Sequence, residues 1–135
     1  MVKVVNIDHI GIVVPDIMKS LNFWQGVLGI DLDYIENVPS MDLDLAWLPV
    51  NKTRLELLEP TSAEGNEYHE FLKQHGPGFH HLCVVVDDLE EMVQKIKEKN
   101  IKVKDDEIIE LPGRKLVFLD PQETDGVIVE LYELT

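Results

Sequence analysis

The chain has 135 residues, 44% apolar and 28% charged, which bounds it to one ordinary globular domain or two small fused halves. Twelve Lys and Arg against 26 Asp and Glu leave a formal charge of −14, which argues against nucleic acid and against a polybasic membrane contact, since both need a basic surface. The apolar runs are too short to span a bilayer, the first residues lack a signal-peptide pattern, and the one cysteine, Cys83, cannot form an internal disulfide, so a cytoplasmic protein is expected.

Val4 to Val14 reads as a buried strand, rich in Val and Ile and ended by Pro15. Asp16 is placed to cap a helix whose inward stripe is Ile17, Leu21, Trp24 and Leu28, with Gly29 as its stop. Residues 31–38 form a weaker strand with Leu32, Tyr34 and Ile35 inward, followed by a turn at Pro39-Ser40. Leu43, Leu45 and Trp47 alternate with Asp42, Asp44 and Ala46, as in a half-buried strand. A hairpin connection over 49–52 leads to a strand from Thr53 to Glu59, closed by Pro60. Residues 61–77 are a joint: a polar loop, then a short helix through Gln74 marked by Tyr68, Phe71 and Leu72. Beyond Gly76-Pro77-Gly78 come a strand from His80 to Val86 and a helix striped by Leu89, Met92, Val93 and Ile96, with Asp88 and Glu91 as a capping box and Asn100 as its end. Ile101 to Ile109, Arg114 to Leu119 and Val127 to Leu134 then read as strands, with Pro112-Gly113 a turn and 120–126 a loop.

The plan repeats. Asp8-His9-Ile10-Gly11-Ile12-Val13-Val14 aligns with His80-His81-Leu82-Cys83-Val84-Val85-Val86, His81 lying 72 residues after His9. Arg54-Leu55-Glu56-Leu57-Leu58-Glu59 aligns with Ile128-Val129-Glu130-Leu131-Tyr132-Glu133, Glu130 lying 74 residues after Glu56. The expected fold is therefore α+β: two tandem βαβββ modules, about 4–60 and 78–135, whose curved mixed sheets surround a shared cleft within one domain spanning 1–135. Each half is marginal for an independent core, so the halves should pack together or with a second copy of the chain.

Strand parity selects the chemistry, because successive side chains face opposite ways. His9, Gly11 and Val13 share one face, as do His81, Cys83 and Val85; the alternate residues are apolar and suit packing on helices. By the same count Glu56 and Glu130 point away from the helices. Two imidazoles and two carboxylates at equivalent positions suit one divalent transition metal, able to act as a Lewis acid. His80 fails the parity test and reads as structural. His69 and His75 read as exposed, Glu59 and Glu133 as solvated strand ends, and Cys83 as a small buried hydrophobe.

These stretches, together with Val38-Pro39, Ala46-Trp47-Leu48-Pro49-Val50, Asp87-Asp88-Leu89 and Gly126-Val127, resemble the vicinal oxygen chelate superfamily of glyoxalases, bleomycin-resistance proteins and extradiol dioxygenases over essentially the whole chain. Within it the likeness is greatest to the methylmalonyl-CoA epimerase family. The resemblance implies a dimer and ligation of one divalent ion (cobalt, nickel, zinc or manganese) by His9, Glu56, His81 and Glu130. It implies inversion at C2 of methylmalonyl-CoA or a similar acyl-CoA thioester through a metal-stabilised enolate, with Glu130 as one acid/base. Two departures stand out. The epimerases carry a glutamate where Ser40 stands here, leaving Glu36, Asp42 or Asp44 to replace it. Asp120 and Gln122 stand where a histidine and a basic residue usually do, which weakens a CoA phosphate site. The alternatives are a glyoxalase I-type lyase (lactoylglutathione lyase) on the same metal centre and a metal-free, bleomycin-resistance-like binding protein.

Overall fold

The computed structural model describes residues 1–135. They fall into two compact units, a continuous one from His9 to His80 and a discontinuous one joining Met1–Asp8 to His81–Thr135. The first strand, β1 (Val4–Val13), is divided between them, its residues through Asp8 belonging to the discontinuous unit. Each half of the sequence is a βαβββ repeat, as expected, and no helix is long and apolar enough to cross a membrane.

The continuous unit holds the end of β1, then α1 (Ile17–Trp24), β2 (Tyr34–Val38), β3 (Leu43–Val50), β4 (Thr53–Pro60) and α2 (Glu67–His75). Its strands lie in the order β2-β3-β4-β1. β3 pairs antiparallel with both β2 and β4, whereas β1 and β4 run parallel, an arrangement that requires a crossover, here begun by α1. Ile12, Val14, Ala46, Leu48 and Leu57 pack with Ile17 and Leu21 of α1 to form its core. This fills one face of the sheet; the other carries His9 and Glu56 among Val13, Leu45, Trp47 and Leu58, which are also buried.

The discontinuous unit repeats the arrangement with β5 (Gly78–Val86, from His81 onward), α3 (Leu89–Glu98), β6 (Ile109–Leu111), β7 (Arg114–Phe118) and β8 (Val129–Leu134). β5 runs parallel to β8, and β7 antiparallel to both β8 and β6. Val86, Leu89, Val117, Leu119 and Leu131 form its core, with Met92, Val93 and Ile96 of α3 packed against them. Asp16 and Asp88 cap α1 and α3 as expected, accepting from the backbone N–H of Lys19 and Glu91.

Several expectations need correction. Val4, Val5 and Ile7 are exposed, so β1 is buried only from Asp8 onward. Regular α-helix stops at Trp24; Gly26 and Leu28 instead donate five residues back, to Leu21 and Phe23, and the loosened turns leave Leu28 exposed rather than inward. Tyr34 and Ile35 are also exposed. The strand expected over 101–109 does not form before Ile109, where β6 begins. Asn100, Asp105 and Asp106 adopt positive φ, which these residues tolerate better than β-branched ones, and the chain turns tightly over Lys104–Asp106 before the three-residue β6.

Candidate metal centre

In the continuous unit, β1 sets His9 opposite Arg54 and Gly11 opposite Glu56 on β4. Side chains two apart share a face, so His9 and Glu56 project together from the side of the sheet opposite α1. His9 is fully buried and Glu56 is 3% exposed, and His9 Nε2 lies 3.4 Å from Glu56 Oε1. Trp47 on β3 stands directly opposite Glu56, and its ring meets His9 edge-on with centroids 5.0 Å apart.

The discontinuous unit builds the same constellation from different residues. Cys83 pairs with Glu130, which brings His81, two residues earlier on β5, to the same face as Glu130. His81 Nε2 lies 3.0 Å from Glu130 Oε1, and both residues are buried. Phe118 on β7 stands opposite Glu130 and meets the His81 ring edge-on at 5.7 Å. Each half thus carries a histidine, a glutamate on the parallel neighbour, and an aromatic across from the glutamate that walls in the imidazole.

Burying a carboxylate is costly unless a cation or hydrogen bonds offset the lost hydration. Two units that each bury one beside an imidazole are built for something that compensates it. The donors fit a divalent transition metal, for which imidazole nitrogen and carboxylate oxygen are the usual ligands. The two Nε2–Oε1 separations, 3.0 and 3.4 Å, bring one nitrogen donor and one oxygen donor together in each unit.

The other residues singled out by the sequence divide clearly. Ser40 is exposed in a 3-10 turn over Pro39–Met41, and Asp42 is exposed just beyond it in the left-handed conformation. Asp44 pairs with Glu59 across the strands, on the face shared with Leu57 and α1. Glu36 pairs with Leu45, which itself pairs with Leu58, so among the three acidic candidates only Glu36 holds a strand position on the Glu56 face. Its Oε1 accepts from the Trp47 indole N–H at 3.1 Å. His80 is structural, as read, with its ring against Tyr68 and Phe71. His75 is exposed, but His69 is half-buried with Nδ1 sealed from solvent, unlike the exposed residue expected. Cys83 is buried and outside any disulfide. Asp120 accepts from the Gln122 N–H and caps the 3-10 turn Pro121–Glu123.

Glu59 and Glu133 are the clearest misreading. Neither is simply solvated: each accepts the N–H of the first residue of its unit's helix, Ile17 and Leu89 respectively. The repeat offset that paired Glu56 with Glu130 pairs these two as well, and that signal was present in the sequence.

Residues 8–118 match the Glyoxalase/Bleomycin resistance protein/Dioxygenase superfamily, and the chain belongs to it. Among its relatives, the uncharacterized protein YqjC of Bacillus subtilis is 33% identical over 132 residues, spanning 94% of this chain and 91% of that protein. Mitochondrial methylmalonyl-CoA epimerase of Mus musculus is 30% identical over 130 residues, spanning 96% of this chain and 73% of that protein. Among solved structures, a variant of Streptomyces coelicolor methylmalonyl-CoA epimerase in complex with 2-nitronate-propionyl-CoA superposes with a TM-score of 0.92 at 27% identity, over 98% of this chain and 99% of that one. The likeness to epimerases read from the motifs therefore extends through the fold.

Proposed function

We propose that this chain is a metal-dependent epimerase acting at C2 of methylmalonyl-CoA or a closely similar acyl-CoA. His9, Glu56, His81 and Glu130 together hold one divalent ion. The observation that carries the reading is the repeated buried His–Glu pair, Nε2 to Oε1 at 3.4 Å in one unit and 3.0 Å in the other, within a chain similar to epimerases along its length.

An α-proton beside a thioester is far less acidic than any side chain, so the reaction requires stabilisation of the oxygen that gains charge as the proton leaves. When bound, a divalent ion supplies that stabilisation as a Lewis acid. The residues move the proton. Glu130 is one acid/base, exchanging it at its carboxylate, and Glu36 is the other, in place of the glutamate that the epimerases carry at Ser40. Glu36 is preferred to Asp42 and Asp44 because of its strand position on the Glu56 face. The burial of His9 and His81 keeps water from competing at their nitrogens.

The protein works as a homodimer in the cytoplasm. The exposed apolar side chains of β1 (Val5, Ile7) and of β2 (Tyr34, Ile35) support an association of copies, and the single reduced cysteine supports the compartment.

The test is exchange of the C2 hydrogen of methylmalonyl-CoA in heavy water by metal-loaded protein. Deuterium should enter C2 in both epimers. No incorporation by protein carrying its full complement of metal would exclude this reaction and leave another superfamily activity on the same centre.

A further inference from the structure

The two halves of the repeat use the same strand pairings, and two of the residues in which they differ are coupled. In the continuous unit Trp47 stands opposite Glu56, and Glu36 stands opposite Leu45, two residues before Trp47. In the discontinuous unit Phe118 stands opposite Glu130, and Ile109 stands opposite Leu116, two residues before Phe118. Where one half sets a phenyl ring diagonally across from an isoleucine, the other sets an indole diagonally across from a carboxylate. Diagonal neighbours on one face of an antiparallel pair are within reach of long and aromatic side chains. The reach is used: the Trp47 indole N–H donates to Glu36 Oε1 at 3.1 Å.

We propose that Trp47 is a positioning residue, whose indole N–H sets the Glu36 carboxylate for proton exchange at C2 of the substrate. This deepens the epimerase reading, and rests on it for Glu36 as an acid/base. Three observations carry it. First, the fold does not require the donor. Phe118 walls in His81 from the equivalent position with no N–H, so a phenylalanine at 47 would serve packing alone. The indole adds a polar group that must then be satisfied, and it comes with the one strand residue placed to satisfy it. Second, the donor is immobile. Trp47 is 1% exposed, its ring meets His9 edge-on at 5.0 Å, and the Arg54 guanidinium carbon lies 3.8 Å from its centroid. Third, the acceptor needs holding. Glu36 lies on β2, at the end of the strand order, is only half-buried, and has a long side chain with several rotamers. A bond from a fixed donor narrows those rotamers before substrate arrives, which is how a surrounding residue aids a group that must meet a reacting atom.

The experiment measures C2 hydrogen exchange of methylmalonyl-CoA in heavy water for metal-loaded wild type, Trp47→Phe, Glu36→Gln and the double variant. Trp47→Phe copies the ring found at position 118 and removes only the donor. It should lower kcat about tenfold, the scale of one hydrogen bond to a carboxylate, with KM and metal content unchanged. In the Glu36→Gln background the same substitution should change kcat by no more than about twofold, because there is no carboxylate left to position. A tryptophan that merely supports the fold would slow exchange equally in both backgrounds, and that result would overturn the proposal. A second readout does not depend on activity or on how Trp47→Phe folds. The chain has two tryptophans, so Trp24→Phe identifies the indole proton–nitrogen NMR signal of Trp47. Glu36→Gln exchanges a carboxylate acceptor for an amide and should move that signal upfield. An unmoved signal would overturn the proposal whatever the activity. A wild-type protein that exchanges no C2 hydrogen yet shows the shift would sink the epimerase reading and leave Trp47 as the residue that orients Glu36.

Discussion

Glu133 holds the start of α3: its Oε1 accepts the backbone N–H of Leu89 at 2.7 Å, 44 residues away in sequence. Glu59 makes the same bond to Ile17 at the start of α1, also at 2.7 Å. The first N–H groups of a helix lack partners within it and carry partial positive charge, so a carboxylate there satisfies a donor and complements the dipole. The last strand of each repeat thereby fastens its helix and steadies the sheet that carries Glu56 or Glu130 three residues earlier. Glu133→Ala and Glu59→Ala should each lower stability by about 1–2 kcal/mol, read from urea midpoints. Bound metal should stay at the wild-type level, because Glu59 lies on the α1 face of its sheet. Unchanged midpoints would mean that the caps are dispensable.

Glu133 also faces a cation. Its Oε2 lies 3.5 Å from Lys115 Nζ, and Glu90 Oε1 lies 3.7 Å from the same nitrogen. Burial pulls the Lys115 ammonium toward neutrality, but the negative charges of Glu133, Glu90 and Glu110 outweigh it and hold its pKa above the ordinary 10.5. A raised lysine binds its proton more firmly in the folded state, so its contribution to stability is complete below pH 10.5 and fades as pH climbs through the raised value. The urea midpoint difference between wild type and Lys115→Gln should therefore be flat from neutral pH to about pH 10 and shrink beyond it. A difference that grows with alkalinity would reverse the sign and refute the pairing.

The choice of Glu36 over its acidic neighbours is also open to measurement. Glu36→Gln should slow C2 exchange by about 100-fold or more, the usual scale for losing a general acid or base, with metal content intact. Asp44→Asn, on the opposite face of the sheet, should leave exchange within about twofold. Equal effects from the two variants would remove Glu36 from the proton path.

What the sequence made legible was the part set by period and repetition. His9, His81, Glu56 and Glu130 sit on their strands as the two-residue alternation demands, and the cores form on the opposite faces. The duplicated constellation needed no alignment of homologues to see, because the chain supplies its own second copy. What was missed depends on contacts distant in sequence or on special backbone states. A glutamate at a strand end looks solvated until the helix that it caps is placed beside it, as with Glu59 and Ile17. The strand expected through 101–109 failed at Asn100, Asp105 and Asp106, whose positive φ values interrupt any ladder.

Central to the account is that one cation draws a histidine and a glutamate from each half of the duplicated chain. The most direct measurement is titration of metal-free protein with cobalt(II), following the visible spectrum and the equivalents bound, in wild type, His9→Ala and His81→Ala. One equivalent per chain, abolished by either substitution alone, is the predicted result. Two equivalents per chain, or a single substitution that removes only half the metal, would mean two separate sites and would contradict it.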